Sequence, residues 1–331
     1  MVASETDEKI VKVNRFTRIY DLLKKSNIDR PKEDVIDKIS RSERLTDAAS
    51  FNTSLAYSTY LNVRDSAGSQ TKSYIGSVMG MRINGSVFDD FPFILSAECA
   101  DGDYVLLKML KVADGAAGLE IRKQDIGYEA NACNFSHEAI VPMKKRSIHI
   151  NIETARVANC EAGEIEVLVM PWYLCTLNKV PSGNKDRIAL EGRKLLSALQ
   201  YLHSERFVHL DVKAMNVFID IKGAWHLGDF GSCKPIGQKI TSSTFQFYFE
   251  DIAFTLAHPK HDLFMFLVLL LIEGLENRHD YSHLFYDSGS HFAVYSKVME
   301  FAQSQTIPED SLYSKLISEV IELCTTSLFT T

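Results

Sequence analysis

Apolar positions fall into two regimes along the chain. From Tyr74 to about Met170 they come in short β-prone runs: SVMGMRI, SVF, FPFILSAE, YVLLKMLKV and EVLVM. Turn residues such as Ala100-Asp101-Gly102-Asp103 separate them. One helical stretch interrupts the runs, around Ile126 to Phe135. After Tyr173 the spacing becomes helical. Arg187 to His203 is predicted to put Leu190, Leu195, Leu199 and Leu202 on one face. Asp262 to Leu275 is apolar all round, the mark of a buried helix. Strands followed by helices predict an α+β protein of two lobes. Ahead of both lies a distinct zone of ~70 residues. There Phe16, Ile19, Tyr20, Leu22 and Leu23 recur at helical spacing, and Asp29 or Asp34 suits the cap of a second helix. The polar stretch Asp65 to Lys72 reads as a linker. Composition leaves three roles open for this zone: docking helix, autoinhibitory segment or brace for the β-rich lobe.

Composition narrows the function classes. The 331 residues are 24% charged and 46% hydrophobic, a globular composition. A net charge of −7 argues against nucleic acid as a partner. The longest apolar run, Leu263 to Ile272, is too short to span a bilayer, so no membrane span is expected. The N-terminus is polar and lacks the apolar core of a signal peptide. The six cysteines, at 99, 133, 160, 175, 233 and 324, show no metal-ligand spacing. They read as reduced thiols, which places the protein in the cytoplasm or nucleus. The triplets that begin at Asn52, Asn84 and Asn134 then read as chance matches to the glycosylation pattern.

The segment Val208 to Gly231 carries the chemistry. It holds HLDVKAMN, then a β-prone pair with Lys222-Gly223 at its turn, then DFG; thirteen positions separate Asn216 from Asp229. Either motif alone is common, but the two in this order are specific. The segment resembles the catalytic and metal-binding loops of Ser/Thr protein kinases. That resemblance implies a two-lobed kinase-like fold, with an N-terminal extension over 1–70, a β-rich N-lobe over 71–170 and a helical C-lobe over 171–331 shortened at its end. It implies ATP-dependent transfer of a phosphoryl group to Ser or Thr hydroxyls of a protein substrate, with Mg2+. Such a reaction needs little covalent help; the nucleophile must be held in line and the phosphate charge neutralised. By resemblance Asp211 orients the acceptor hydroxyl and takes its proton, and Lys213 steadies the transferring oxygens. Asn216 and Asp229 supply hard oxygens suited to magnesium. His209 reads as a packed, hydrogen-bonded core histidine.

The same resemblance assigns residues on either side. Lys108, ending Val105-Leu106-Leu107-Lys108, stands where the family's phosphate-binding lysine lies, with Glu129 as its ion-pair partner in preference to Glu120 or Glu138. Gly80, Gly85 and Val87 match a glycine-rich phosphate loop apart from Arg82. Leu106 takes the position that roofs adenine, Phe218 joins the nucleotide pocket, Met170 is the gatekeeper, and Pro171 to Tyr173 form the hinge. Asp262 would brace the catalytic loop, Glu250 stands where the family has its APE glutamate, and Ser243 and Thr244 lie where a Ser/Thr kinase has the threonine that contacts its catalytic aspartate and lysine.

Five departures from the family pattern bear on function. Leu210 replaces the arginine of HRD, Arg82 a glycine, Leu106 a small alanine, and Tyr248-Phe249-Glu250 the APE motif, while no arginine follows Lys315. None removes an assigned phosphate, metal or proton-handling group, which favours an active enzyme. Leu106 and Arg82 keep open a pseudokinase, a binding or scaffolding module on the same fold. A small-molecule kinase shares HxDxxxxN, but Lys213 and the DFG sequence count against it. Leu210 cannot pair with a loop phosphate, so the activation loop is expected to be held by packing.

Overall fold

The computed structural model describes residues 63–64, 70–71, 81–88, 91–99, 104–110, 127–150, 163–241, 256–286, 293–306 and 310–326. The calls on the N-terminal helices, most of the 65–72 linker, Gly80, the 100–103 turn, Glu120, Ser243, Thr244 and Glu250 lie outside these residues.

The first lobe is built on a seven-stranded sheet in the order β2-β1-β3-β4-β5-β7-β6. Its strands are β1 (Val63–Arg64), β2 (Gln70–Thr71), β3 (Met81–Phe88), β4 (Phe91–Cys99), β5 (Tyr104–Met109), β6 (Lys144–Ile150) and β7 (Gly163–Pro171). Most neighbours pair antiparallel, as expected of strands joined by short turns. In β5, Val105 and Leu107 are fully buried while Leu106 and Lys108 share the opposite face. Between β5 and β6 runs α1 (127–131), which tightens into the 3-10 turn Ala132–Asn134.

Two residues of the glycine-rich stretch fall within this sheet. Gly85 and Val87 do not form a loop; they lie inside β3, whose partner β4 is joined to it through positions 89 and 90. The register shifts between Ile83 and Ser86, so Gly85 falls at a β-bulge. Glycine suits a bulge as well as a phosphate loop, and the spacing of glycines alone could not separate the two.

The second lobe is helical. Helix α2 (Lys185–Ser204) starts where the Asn184 side chain accepts from the Arg187 amide at 3.1 Å. It buries Ile188, Leu195, Leu199 and Leu202. Leu190 is 61% exposed, against expectation. The reason is angular. At about 100° per residue Leu190 and Leu195 differ by about 140°, whereas Ile188 and Leu195 are nearly in phase. Helix α3 (Pro259–Gly274) runs through the core with Phe264, Met265, Phe266, Leu267 and Val268 at 0% exposure. Each such side chain contributes about 1.5–3 kcal/mol on burial. The sequence placed its start at Asp262. His258 and Pro259 start it one turn earlier, the His258 ring accepting from the Lys260 amide.

Three more helices follow: α4 (Tyr281–Phe285), α5 (Tyr295–Ser304) and α6 (Leu312–Thr325). Helices α2, α3 and α6 pack mutually at Gly192. A Cβ there would meet Leu270 at 2.9 Å and Leu316 at 3.0 Å, so the small residue sets how closely the helices approach. This lobe also holds two small sheets. One has the order β11-β10-β8, from β8 (Cys175–Thr176), β10 (Val217–Ile219) and β11 (Trp225–Leu227). The other pairs β9 (Phe207–Val208) with β12 (Lys234–Pro235). Between them they hold the ends of the HLDVKAMN and DFG segments. No described helix is long and apolar enough to cross a membrane.

Candidate active site

Lys108 is the junction of the two lobes. Its Nζ lies 2.5 Å from Glu129 Oε1 on α1 and 2.8 Å from Asp229 Oδ1. Residues 21 and 121 positions away in sequence thus converge on one ammonium. Burial works to lower the Lys108 pKa, but Asp229 and then Glu129 outweigh it, and the group is held well above its ordinary value. Partial burial works to raise Asp229; Lys108 outweighs it, and the carboxyl sits below its ordinary value. The lysine is therefore a fixed cation and the aspartate a fixed anion at neutral pH.

The HLDVKAMN loop forms a second cluster. Lys213 Nζ reaches Asp211 Oδ1 at 2.9 Å. The Asn216 amide nitrogen donates at 2.8 Å both to Asp211 Oδ2 and to the Asp211 carbonyl. That commitment leaves the amide's carbonyl oxygen as the atom Asn216 can offer elsewhere. The Gly228 amide donates to the Asn216 carbonyl at 2.9 Å, tying Asp229 to this loop. Gly228 is fixed by its neighbours, since a Cβ would sit 2.8 Å from both Phe218 and Val141.

Beneath the loop, Asp262 accepts from the His209 amide at 2.8 Å, the Leu210 amide at 2.7 Å and His203 Nε2 at 2.9 Å. Burial would raise Asp262, but His203 foremost and then His209 outweigh it, and the carboxyl lies below its ordinary value. His209 is wholly buried. Its Nδ1 accepts from the Asp211 amide at 3.3 Å, so Nε2 carries the proton and donates to the Gly228 carbonyl at 3.1 Å. Phe230 is 0% exposed, with its ring 4.9 Å from His209 and 5.7 Å from Phe135. That stack links the DFG segment to the end of α1. Asp229 itself adopts φ +57, a strained conformation for a non-glycine residue.

Of the sequence-assigned residues, Lys108, Glu129 and Asp229 meet in one group, and Asp211, Lys213 and Asn216 in another. Met170, at the end of β7, pairs across the sheet with Leu106. Phe218 lies on β10, and Tyr173 turns its ring inward, 5.6 Å from Phe218 and 5.1 Å from His226. Sequence reasoning missed His203, whose place beside Asp262 depends on two helices meeting across 59 positions. Lys234 is 1% exposed, with Nζ 5.4 Å from the centroid of the Tyr128 ring.

A protein kinase domain model matches residues 165–252, the stretch that carries both loops. The fold is that of a protein kinase domain. Among relatives, mitogen-activated protein kinase kinase kinase 1 of Arabidopsis thaliana is 26% identical over 162 residues, covering 48% of this chain and 24% of that protein. The serine/threonine-protein kinase US3 homolog of Cercopithecine herpesvirus 9 is 43% identical over 75 residues, 21% of each chain. Serine/threonine-protein kinase STE20 of Yarrowia lipolytica is 28% identical over 160 residues, 44% of this chain and 14% of that protein. The matched stretches thus span at most about a quarter of the length of each of these proteins.

Proposed function

We propose that this kinase domain is active and transfers the terminal phosphoryl group of ATP to Ser or Thr hydroxyls of a protein substrate. The observation that carries the reading is Lys108 held between Glu129 and Asp229. An ammonium held by two carboxylates where the two lobes meet suits phosphate oxygens.

The remaining groups fit the same reaction. Asp211 accepts the proton of the attacking hydroxyl. Lys213, 2.9 Å from Asp211, neutralises charge beside it. A lysine at this point also favours Ser/Thr over Tyr acceptors. The donor set fits a small hard cation: the Asn216 carbonyl oxygen and the Asp229 carboxylate are two oxygen ligands, the number magnesium takes when phosphates and water complete its shell. Magnesium bound there would neutralise developing charge on the phosphates. Leu106 and Met170, neighbours across β5 and β7, and Phe218 from the other lobe would enclose the adenine.

The test is transfer of labelled phosphate from ATP to a peptide library, with Asp229→Ala as control. Transfer lost in the variant supports the reading. No transfer, but a rise in melting temperature with ATP and magnesium, supports the pseudokinase alternative.

A further inference from the structure

Helix α1 carries two adjacent side chains that reach opposite lobes. Glu129 takes Lys108 Nζ, from the first lobe, at 2.5 Å. Tyr128 meets Lys234, from the second lobe, with Nζ 5.4 Å from the ring centroid. Lys234 is 1% exposed, and no other described lysine is buried as deeply. Taking an ammonium out of water is costly unless something offsets it. A desolvated cation over an aromatic face recovers about 2 kcal/mol. A methionine would fill the same length without the cost, so the charge itself points to a use. The lysine's backbone is fixed as well. Lys234 pairs with Val208 in the β9–β12 ladder, directly before His209. Between Asp229 and Lys234, Phe230 lies 5.7 Å from Phe135 at the end of the α1 turn. The Lys234–Tyr128 contact thus ties α1 both to the segment after Asp229 and to the strand that enters the catalytic loop.

We propose that Lys234 and Tyr128 are positioning residues, whose contact holds α1 where Glu129 keeps Lys108 beside Asp229. The inference rests on the phosphotransfer reading. Both residues act through Glu129 and not on the reacting atoms. The Glu129–Lys108 bond tolerates little movement, since a shift of about 1 Å takes an N–H···O contact out of hydrogen-bond range. Tyr128 is the immediate neighbour of Glu129 on one helix, so whatever fixes the tyrosine ring fixes the carboxylate beside it.

The test measures steady-state transfer from ATP to a peptide by the full chain and by Tyr128→Phe, Tyr128→Leu and Lys234→Met, each also in a Glu129→Gln background. Thermal melting checks folding. Tyr128 is only half-buried, so its variants decide the matter even where Lys234→Met fails to fold. Tyr128→Phe keeps the aromatic face and should match the unmodified protein within about twofold. Tyr128→Leu and Lys234→Met should lower kcat/KM for ATP about tenfold, with KM for the peptide unchanged. In the Glu129→Gln background the same two changes should cost less than about twofold, because the group they position is gone. Three results overturn this inference alone: an unchanged kcat/KM for ATP in Tyr128→Leu, equal losses in Tyr128→Phe and Tyr128→Leu, or a full loss that persists in the Glu129→Gln background. Absence of transfer by the unmodified chain overturns the phosphotransfer reading, and this inference with it.

Discussion

The Leu210 amide donates to Asp262 Oδ1 at 2.7 Å, and the other oxygen of the same carboxylate takes the His209 amide and His203. One buried side chain thus closes three donors that would otherwise be left inside the protein without water. Leu210 needs this hold, because it sits at φ +63, where a branched side chain is strained. Asp262→Ala should orphan all three donors at about 1–3 kcal/mol each, less whatever the loop recovers by relaxing. The expectation is a loss of at least about 3 kcal/mol, read from the midpoint of denaturant unfolding. Asp262→Asn, which keeps one acceptor, should lose less. Equal losses for the two variants would mean that the hydrogen bonds do not account for the stability.

Lys108, Asp211 and Asp229 act on one transition state in the proposed reaction, so their losses should not add. Lys108→Met, Asp211→Asn and Asp229→Ala are each expected to lower kcat/KM at least about a hundredfold. The pair Lys108→Met with Asp229→Ala should be scarcely worse than its weaker member. Full multiplicative loss in the double variant would show the two residues working independently, contrary to their 2.8 Å contact.

The α+β order was legible from the apolar pattern, the catalytic-loop residues from short motif spacing, and Lys108 with Glu129 from the order of the motifs along the chain. The backbone form of the glycine-rich stretch was not. Glycine marks a bulge in β3 as readily as a turn, and only strand register, a pairing between distant residues, decides. The face of α2 was misread for a related reason: Leu190 has the right residue type at the wrong angle. His203 and the burial of Lys234 were invisible because nothing local distinguishes a histidine or lysine that folding will enclose.

The nucleotide pocket makes a separate prediction. Leu106 opposes Met170 on one side and Ser96 on the other within the sheet, on the face that carries Lys108. If it roofs the adenine, Leu106→Ala enlarges the site. Affinity for ATP or for an adenine analogue bulky at its exocyclic amine should rise, as measured by titration calorimetry. Unchanged affinity for both would remove Leu106 from the pocket.

Acid should weaken the start of α3. His261 Nδ1 accepts from the His258 amide at 3.2 Å, which requires an unprotonated nitrogen. Burial pushes the His261 pKa down to about 4, against an ordinary value of 6.5. The unfolded chain then binds more protons between those values, so stability rises with pH through the window and is lost as pH falls from about 6.5 toward 4. The effect is on the order of 1–3 kcal/mol at the acid end. His261→Gln should reduce the slope of stability against pH across this window. An unchanged slope would assign the acid sensitivity to other groups.

The last prediction concerns the segment after DFG. Leu210, expected from the sequence to stand where many kinases pair an arginine with a loop phosphate, is 0% exposed in a cluster with Val208 and Ala257 against which Ile236 and Ile240 pack. Backbone bonds reinforce the contact: the Gly237 amide donates to the Ala257 carbonyl at 2.8 Å and the Ala257 amide to the Gln238 carbonyl at 2.7 Å. Lys234, on the same segment, is enclosed near Tyr128. The segment is therefore anchored beside Asp211 by burial, which operates before any modification. We expect phosphatase-treated protein and protein phosphorylated on its loop to differ less than tenfold in turnover, that is by less than about 1.4 kcal/mol of transition-state stabilisation. Leu210→Ala should open a cavity and destabilise by about 2–5 kcal/mol, while Leu210→Met should be tolerated. In the alanine variant the anchor is gone, and turnover should fall further than the fraction unfolded explains. A gain of tenfold or more on loop phosphorylation of the unmodified chain, or an alanine variant that matches it in both turnover and stability, would show that packing at Leu210 does not hold the segment.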